Sequence, residues 1–391
     1  MNFLFVISLL IGASQSFLVP KLPGQYSVAH KVEDLTDASR LDPYAPPGKK
    51  ALRRILVSVF FPLDPHQSPS SPEVLPYLPP ETARVYSQMA VGLGLPADLP
   101  SSFDIEYYTF PPVAAFKENN EGKGFPIAIF SPGHTTSRLL YSALARTLAS
   151  RGYVVITIDH PYDAAIVEFP DGSVILGDSD TTNSTERLRN LKVRGGDISF
   201  VIDQLHDKTM MNQLTKGFPH RIDLANIAVF GHSLGGAAAA ATMLSDNRIK
   251  GGLDIDGEIF GPVITEGLSK PFMLVSSEAN NGSTSLENWN PFWKNLRNTK
   301  VEASIFNTTH ISFLDIPLLL TVFPLSKEQK TMVEAAFGTI EGSRIQEVTL
   351  GVLTAYFDEL FRGRKTPLCN LGRKFHEVSI VRSSLSQSCC G

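Results

Sequence analysis

The pentapeptide Gly231-His232-Ser233-Leu234-Gly235 constrains this 391-residue chain more than any other feature, because of what flanks it. Before it stands the apolar run Asn226-Ile227-Ala228-Val229-Phe230, a strand candidate; after it come Gly236 and the small-residue run Ala237 to Ala241, suited to a closely packed helix. A strand that turns within three residues into a helix presents its central serine at the carboxyl edge of a sheet. Glycines on both sides leave room where a Cβ would collide as the chain reverses through a strained serine conformation. By composition alone the bare pattern arises in about one chain of this length in ten, so the strand–turn–helix context carries the weight.

Similar apolar runs recur along the chain: Ile55 to Phe61, Pro126 to Phe130, Tyr153 to Ile158, Gly252 to Ile255, Phe272 to Ser276 and Val301 to Phe306. Helical periodicity separates them, over Leu139 to Ser150, over Ile198 to Leu205 and over Ala237 to Leu244. Strands that alternate with helices need crossover connections, and runs apolar throughout imply a sheet covered on both faces. This predicts an α/β-hydrolase fold, a mostly parallel central sheet with helices on both faces. Ile345 to Phe361 reads as an amphipathic helix closing it. Pro65 to Pro112, rich in proline and with a short helical candidate at Thr82 to Val91, reads as an insertion or cap within a domain spanning 17–363, and 364–391 as a C-terminal tail.

The run Phe3 to Ile11, followed by small residues, is too short to span a bilayer and reads as a signal peptide over 1–16, although no Lys or Arg precedes it. The sequons at Asn183, Asn281 and Asn307 fit passage through a secretory pathway, so the expected location is extracellular. Of three cysteines, Cys369 is expected to form a disulfide with Cys389 or Cys390. They are too few for a metal site, and no metal or other cofactor is expected. A formal charge of −4 gives no reason to expect a nucleic-acid partner.

A serine hydroxyl needs a base and an orienting carboxylate before it becomes a nucleophile, and in this fold they follow in the order acid, then histidine. His310, just past the strand candidate Val301 to Phe306, is the expected base, whereas His376 lies in the tail. Asp254, Asp256 and Glu278 all lie at or just past strand ends. Asp254 reads as buried within the apolar run, and the residues alone leave Asp256 and Glu278 level. The oxyanion donors are expected to be the main-chain N–H of Leu234 and that of His134, in the turn after Phe130. A non-catalytic binding protein would not need so complete a set.

These residues resemble those of the secreted-type platelet-activating factor acetylhydrolases, esterases like lipoprotein-associated phospholipase A2. The likeness runs from Tyr26 to Phe361 and includes Phe130-Ser131-Pro132-Gly133-His134, Tyr141-Ser142-Ala143, the pentapeptide and Thr309-His310-Ile311-Ser312-Phe313. It implies Asp256 as the acid. It also implies calcium-independent hydrolysis of short or oxidised sn-2 acyl groups from glycerophospholipids, with a lipid or small ester as the partner. Two features depart from the family: Gly257-Glu258 stand where a bulky residue follows the acid, and the proline-rich insertion has no clear counterpart. A general short-chain or polyester esterase is the alternative. The apolar run Phe313 to Phe323 reads either as core or as a surface for peripheral lipid contact.

Overall fold

Successive strand residues point to opposite faces, and the buried apolar residues follow that rule strand by strand. Ala128 and Phe130 join one apolar cluster while Ile127 and Ile129 join the other, and Ala228 and Phe230 are likewise separated from Ile227 and Val229. A sheet with two such faces must be covered twice. The computed structural model describes residues 16–48, 50–66, 71–110, 124–178, 183–283 and 286–385; the proposed signal run, Cys389 and Cys390 lie outside them.

The described chain opens with β1 (Phe17–Leu18), β2 (Ser27–Leu41) and β3 (Leu52–Leu63). Next come β4 (Glu73–Pro76), α1 (Pro80–Gly92) and β5 (Phe103–Tyr107), then β6 (Phe125–Ser131), α2 (Ser142–Ala149) and β7 (Val154–Asp159). A hairpin of β8 (Ile166–Glu168) and β9 (Val174–Leu176) leads to α3 (Ser184–His206) and α4 (Lys208–Leu214). The pattern continues through β10 (Ile222–His232), α5 (Leu234–Ser245), β11 (Ile249–Ile255), α6 (Val263–Glu266), β12 (Phe272–Ser277), α7 (Trp289–Asn295) and β13 (Lys300–Ile305). It closes with α8 (Ile316–Leu319), α9 (Lys327–Phe337), α10 (Gly342–Arg362) and β14 (Val378–Ser383).

Nine strands form the central sheet in the order β14-β13-β12-β11-β10-β6-β7-β3-β2. The pairs from β13 to β7 are parallel; β3 pairs antiparallel with β7, β2 with β3, and β14 with β13. Helices α2 and α10 pack on one face, through Leu144, Leu148, Val348, Val352 and Phe357. Helices α3, α5 and α7 cover the other, through Ile198, Val201, Ala237 to Ala240, Trp289 and Phe292. Each large apolar side chain so buried contributes roughly 1.5–3 kcal/mol, so α10 is held by its apolar stripe more than by helical propensity. Strand β6 lies between β10 and β7: the chain passes from β6 to β7 on one side, then returns across β6 to β10 on the other, which reverses the strand order. Ligands of open α/β sheets bind in the crevice at such a switch point, beyond the carboxyl ends of the strands; here those ends are Ser131 and His232.

Two sequence expectations are corrected. The strand at Ile55 to Phe61 runs antiparallel, not parallel, to β7, and it also pairs antiparallel with β2, an edge strand whose polar, half-exposed sequence hides it from an apolar-run search. Residues 364–391 are not a bare tail: β14 lies there and adds a sheet edge, following two helical turns at Lys365–Cys369 and Leu371–Lys374. Of the two readings of the run Phe313 to Phe323, core fits its first part, since Phe313, Leu314, Leu318, Leu319 and Leu320 are all buried. Cys369 is disulfide-bonded. The segment 65–112 supplies β4, α1 and β5, and β1 and β4 flank β5 in a three-stranded sheet. Buried Asp315 ties that unit to the core, accepting hydrogen bonds from Tyr77 Oη (2.8 Å) and from Ala143 N–H (2.6 Å) at the start of α2. The sequon residues Asn183, Asn281 and Asn307 are exposed.

Candidate active site

Five non-glycine residues have positive φ among the described residues: Thr135, Tyr162, Ser233, Asp256 and Asn307. Every one lies just past the carboxyl end of a parallel strand, β6, β7, β10, β11 and β13 in turn. Such conformations cost on the order of 1–3 kcal/mol each and persist only where surroundings over-determine them. For Ser233 (φ 56°, ψ −126°) the constraint is a hydrogen bond from its N–H to Ile255 O at 2.8 Å; for Asp256 (φ 55°) it is one to Val275 O at 2.6 Å. The following turn of α5 presses on β6 so closely that a Cβ on Gly235 would overlap the carbonyl oxygen of Ser131. Glycine there is a requirement of packing.

His310 Nε2 lies 3.0 Å from Ser233 Oγ, and His310 Nδ1 lies 2.8 Å from Asp256 Oδ2. An ionised carboxylate only accepts, so Nδ1–H donates to it and the Nε2 lone pair faces the serine hydroxyl. Asp256 also accepts from Ser277 N–H (2.7 Å), Ser277 Oγ (2.9 Å) and Asn280 Nδ2 (2.7 Å). Burial pushes its carboxyl up, but the hydrogen bonds from His310 and Ser277 outweigh this and hold it below the usual carboxylate range. Asp256 is thus ionised and buried, while the His310 side chain is 41% exposed.

The other carboxylates do different work. Glu278 accepts from Asn307 N–H at 2.6 Å and donates its own N–H to Thr308 Oγ1, which braces the loop carrying His310. Asp254 is fully buried against Gly236; its Oδ1 accepts from Gly257 N–H at 3.1 Å and its Oδ2 has no hydrogen-bond partner. Burial, aided by the charge of Asp256, raises its ionisation well above the usual range. His376 is exposed in the turn before β14.

A pH effect on stability follows from Asp254. An unfolded aspartate ionises near pH ~3.9, whereas folded Asp254 keeps its proton to higher pH. Between those limits the native state binds more protons than the unfolded state, so stability falls as pH rises. Asp254→Asn has no proton to lose and keeps an acceptor for Gly257 N–H. Its Tm should match that of the parent at pH ~3.5 and exceed it by a widening margin towards pH ~8. A difference that stays constant across that range would mean that the carboxyl ionises in the fold as readily as outside it.

Leu234 is the first residue of α5, so its N–H has no carbonyl within the helix to bond. His134 sits in the loop after β6, next to Gly133, whose N–H donates to Tyr141 Oη at 3.3 Å. Arg194 Nη1 donates to Pro132 O at 2.5 Å and its Nη2 to Gly133 O at 3.2 Å. Arg194 is buried and paired with Asp163. Behind it, Ser131 Oγ meets His160 Nε2 (2.9 Å), His160 Nδ1 meets Asp197 (2.9 Å), and Asp197 is bound by Arg53. Burial, reinforced by Arg194, lowers the His160 ring and favours its neutral form.

Sequence reading missed this support. Its signal was present: Asn190, Leu191, Arg194 and Asp197 continue towards the N-terminus the stripe of Ile198, Val201 and Ile202. A polar side chain on the buried stripe of a helix must have a partner.

Two cavities are not the reaction site. One, of about 50 Å³, is apolar and lies between α1 and the segment Ile316 to Leu320; the other, of about 550 Å³, runs between β4 and the β8–β9 hairpin. Ser233, Asp256 and His310 line neither. Among the described residues no group of three His, Cys, Asp or Glu side chains is placed to hold a metal ion.

The family model described as platelet-activating factor acetylhydrolase, isoform II, matches residues 11–171 and 178–335. A probable 1-alkyl-2-acetylglycerophosphocholine esterase of Arthroderma benhamiae is 29% identical over 374 residues, 89% of this chain and 88% of that protein. A platelet-activating factor acetylhydrolase of Cavia porcellus is 26% identical over 215 residues, 50% of this chain and 49% of that protein. Among solved structures, a ferulic acid esterase from Streptomyces cinnamoneus superposes with a TM-score of 0.73 at 29% identity, covering 95% of this chain and 100% of that one.

Proposed function

Because the chain belongs to the platelet-activating factor acetylhydrolase, isoform II, family, we propose that it is a serine carboxylic ester hydrolase that removes short or oxidised sn-2 acyl groups from glycerophospholipids. The observation that carries this reading is the unbroken line of contacts from Ser233 Oγ through His310 to Asp256. Ser233 Oγ attacks the ester carbonyl as His310 Nε2 takes its proton, and Asp256 stays ionised to stabilise the imidazolium. The developing oxyanion lies against the N–H groups of Leu234 and His134. Collapse expels the alcohol, which leaves with the proton from His310. Water then attacks the acyl-enzyme, His310 again acting as base, and the acid departs.

Secretion is part of the proposal. Its supports are the disulfide at Cys369 and the exposure of all three sequons, since disulfides persist in oxidising compartments. Among the described residues no helix is long and apolar enough to cross a membrane.

The likeness to a ferulic acid esterase favours a second reading, a general esterase with no phospholipid preference. The purified chain should be tested on 1-alkyl-2-acetylglycerophosphocholine, its long-chain sn-2 counterpart, methyl ferulate and simple esters of rising chain length. The proposal expects kcat/KM for the acetyl phospholipid to exceed that for the long-chain one by about 100-fold or more, with no loss on adding a calcium chelator. Equal or faster turnover of methyl ferulate or simple esters, with the acetyl phospholipid untouched, would establish the second reading.

A further inference from the structure

His232 fills the variable position of the pentapeptide, where the mechanism asks for nothing, yet it is 2% exposed and both ring nitrogens are engaged. Its Nε2 lies 2.8 Å from the main-chain oxygen of His310, and its Nδ1 lies 2.8 Å from Tyr141 Oη. A carbonyl oxygen only accepts, so Nε2 carries the proton; Nδ1 of the neutral ring is then an acceptor, and the Tyr141 hydroxyl donates to it. The tyrosine oxygen in turn accepts Gly133 N–H at 3.3 Å. The one proton of the nearby Thr136 hydroxyl goes to Gly133 O at 2.8 Å. Every donor in the line Gly133, Tyr141, His232, His310 therefore points the same way, and hydrogen bonds so aligned strengthen one another. Burial, with His310 alongside, brings the His232 ring down to about 3, so the neutral form that the line requires persists at ordinary pH.

From this geometry we propose that Tyr141 and His232 are positioning residues that lock the loop carrying the base to the loop carrying the oxyanion donor. The inference rests on the assignment of Ser233 and His310 made above. Two consequences make it specific. Gly133 N–H is spent on Tyr141, so the tyrosine grips the loop one residue before His134, the proposed oxyanion donor. The main chain of His310 is held at its carbonyl, so the imidazole is fixed from behind as well as by Asp256. Misplacement of a reacting group by about 1 Å costs about 100-fold in rate, and these two loops are the parts whose separation matters most.

The test compares His232→Leu, His232→Gln, Tyr141→Phe and Ser233→Ala, assayed on an ester the parent enzyme turns over. A glutamine amide can donate to His310 O and accept from Tyr141, so His232→Gln should keep kcat within about threefold. His232→Leu and Tyr141→Phe should each lose about 10- to 100-fold in kcat with KM nearly unchanged, the pattern of an interaction that matters in the transition state. Both should also bind a trifluoromethyl ketone, which forms a tetrahedral adduct on the serine, about 10-fold or more weakly. Packing alone would not separate leucine from glutamine at one position in this way. The proposal is overturned if His232→Leu and Tyr141→Phe keep parental kcat and ketone affinity while Ser233→Ala is inactive. An active Ser233→Ala would instead overturn the nucleophile itself, and the positioning role with it.

Discussion

Ser233→Ala and His310→Ala are each expected to lower kcat by about 10⁴- to 10⁶-fold, and the double variant no further than the worse single one. The reason is the 3.0 Å contact between Ser233 Oγ and His310 Nε2. An alanine at 233 leaves no atom to form the acyl-enzyme; an alanine at 310 leaves a hydroxyl with no group to take its proton, so either loss disables the same step. Residual turnover above the uncatalysed rate would come from the N–H donors and from binding. Single-turnover kinetics and labelling by an organophosphonate measure the effect directly. Label should enter the parent protein and be absent from Ser233→Ala. Hydrolysis by that variant at about a tenth or more of the parental kcat would exclude an acyl-enzyme at this serine.

The strand–turn–helix around Ser233 was readable because every element of it is local. Asn226 to Ala241 carries the strand, the glycines and the start of the helix within sixteen residues. His310 was readable for a related reason, since a histidine just past a strand end stands out. Asp256 and Glu278 were level in the residues themselves, both being acids beyond strand ends, and only the family resemblance separated them. What distinguishes them in the fold is long-range: Asp256 is turned by a bond to Val275 O and cradled by Ser277 and Asn280, whereas Glu278 meets Asn307 on the neighbouring loop. No local pattern states which of two neighbouring loops a side chain will reach.

The edges of the sheet were lost for a different reason. Strands β2 and β14 have a face or an end in water, so they lack the continuous apolar run by which inner strands are recognised. The charged support of the loop after β6 was legible only by half: Arg194 and Asp197 lie on the buried stripe of α3, but their partners Asp163 and Arg53 come from the loop after β7 and from β3, and nothing local points to them. Buried charges of this kind are costly singly and tolerable only together. They stand behind Ser131 to Gly133, so the cost is borne at the loop proposed to aim an N–H at the oxyanion.

Asp256→Asn tests the remaining member of the set, with Glu278→Gln as its comparison. Asparagine keeps the size of the side chain and the Ser277 and Asn280 contacts can rearrange around it, so the fold should survive. Its amide can present a donor to His310 Nδ1, which moves the imidazole proton to Nε2, facing the serine hydroxyl that must lose a proton. It also removes the negative charge that stabilises the imidazolium. The wrong tautomer and the lost charge together cost about 10⁴-fold in kcat in serine hydrolases that share this arrangement. Glu278→Gln keeps an oxygen to accept Asn307 N–H and leaves His310 untouched, so kcat should stay within about threefold, in line with a surface substitution that spares its hydrogen bond. The reverse ranking, Glu278→Gln inactive and Asp256→Asn near parental, would transfer the acid to Glu278 and require the His310 loop to move in solution. Equal, small losses in both would leave His310 working without a carboxylate partner, contrary to the 2.8 Å contact between its Nδ1 and Asp256.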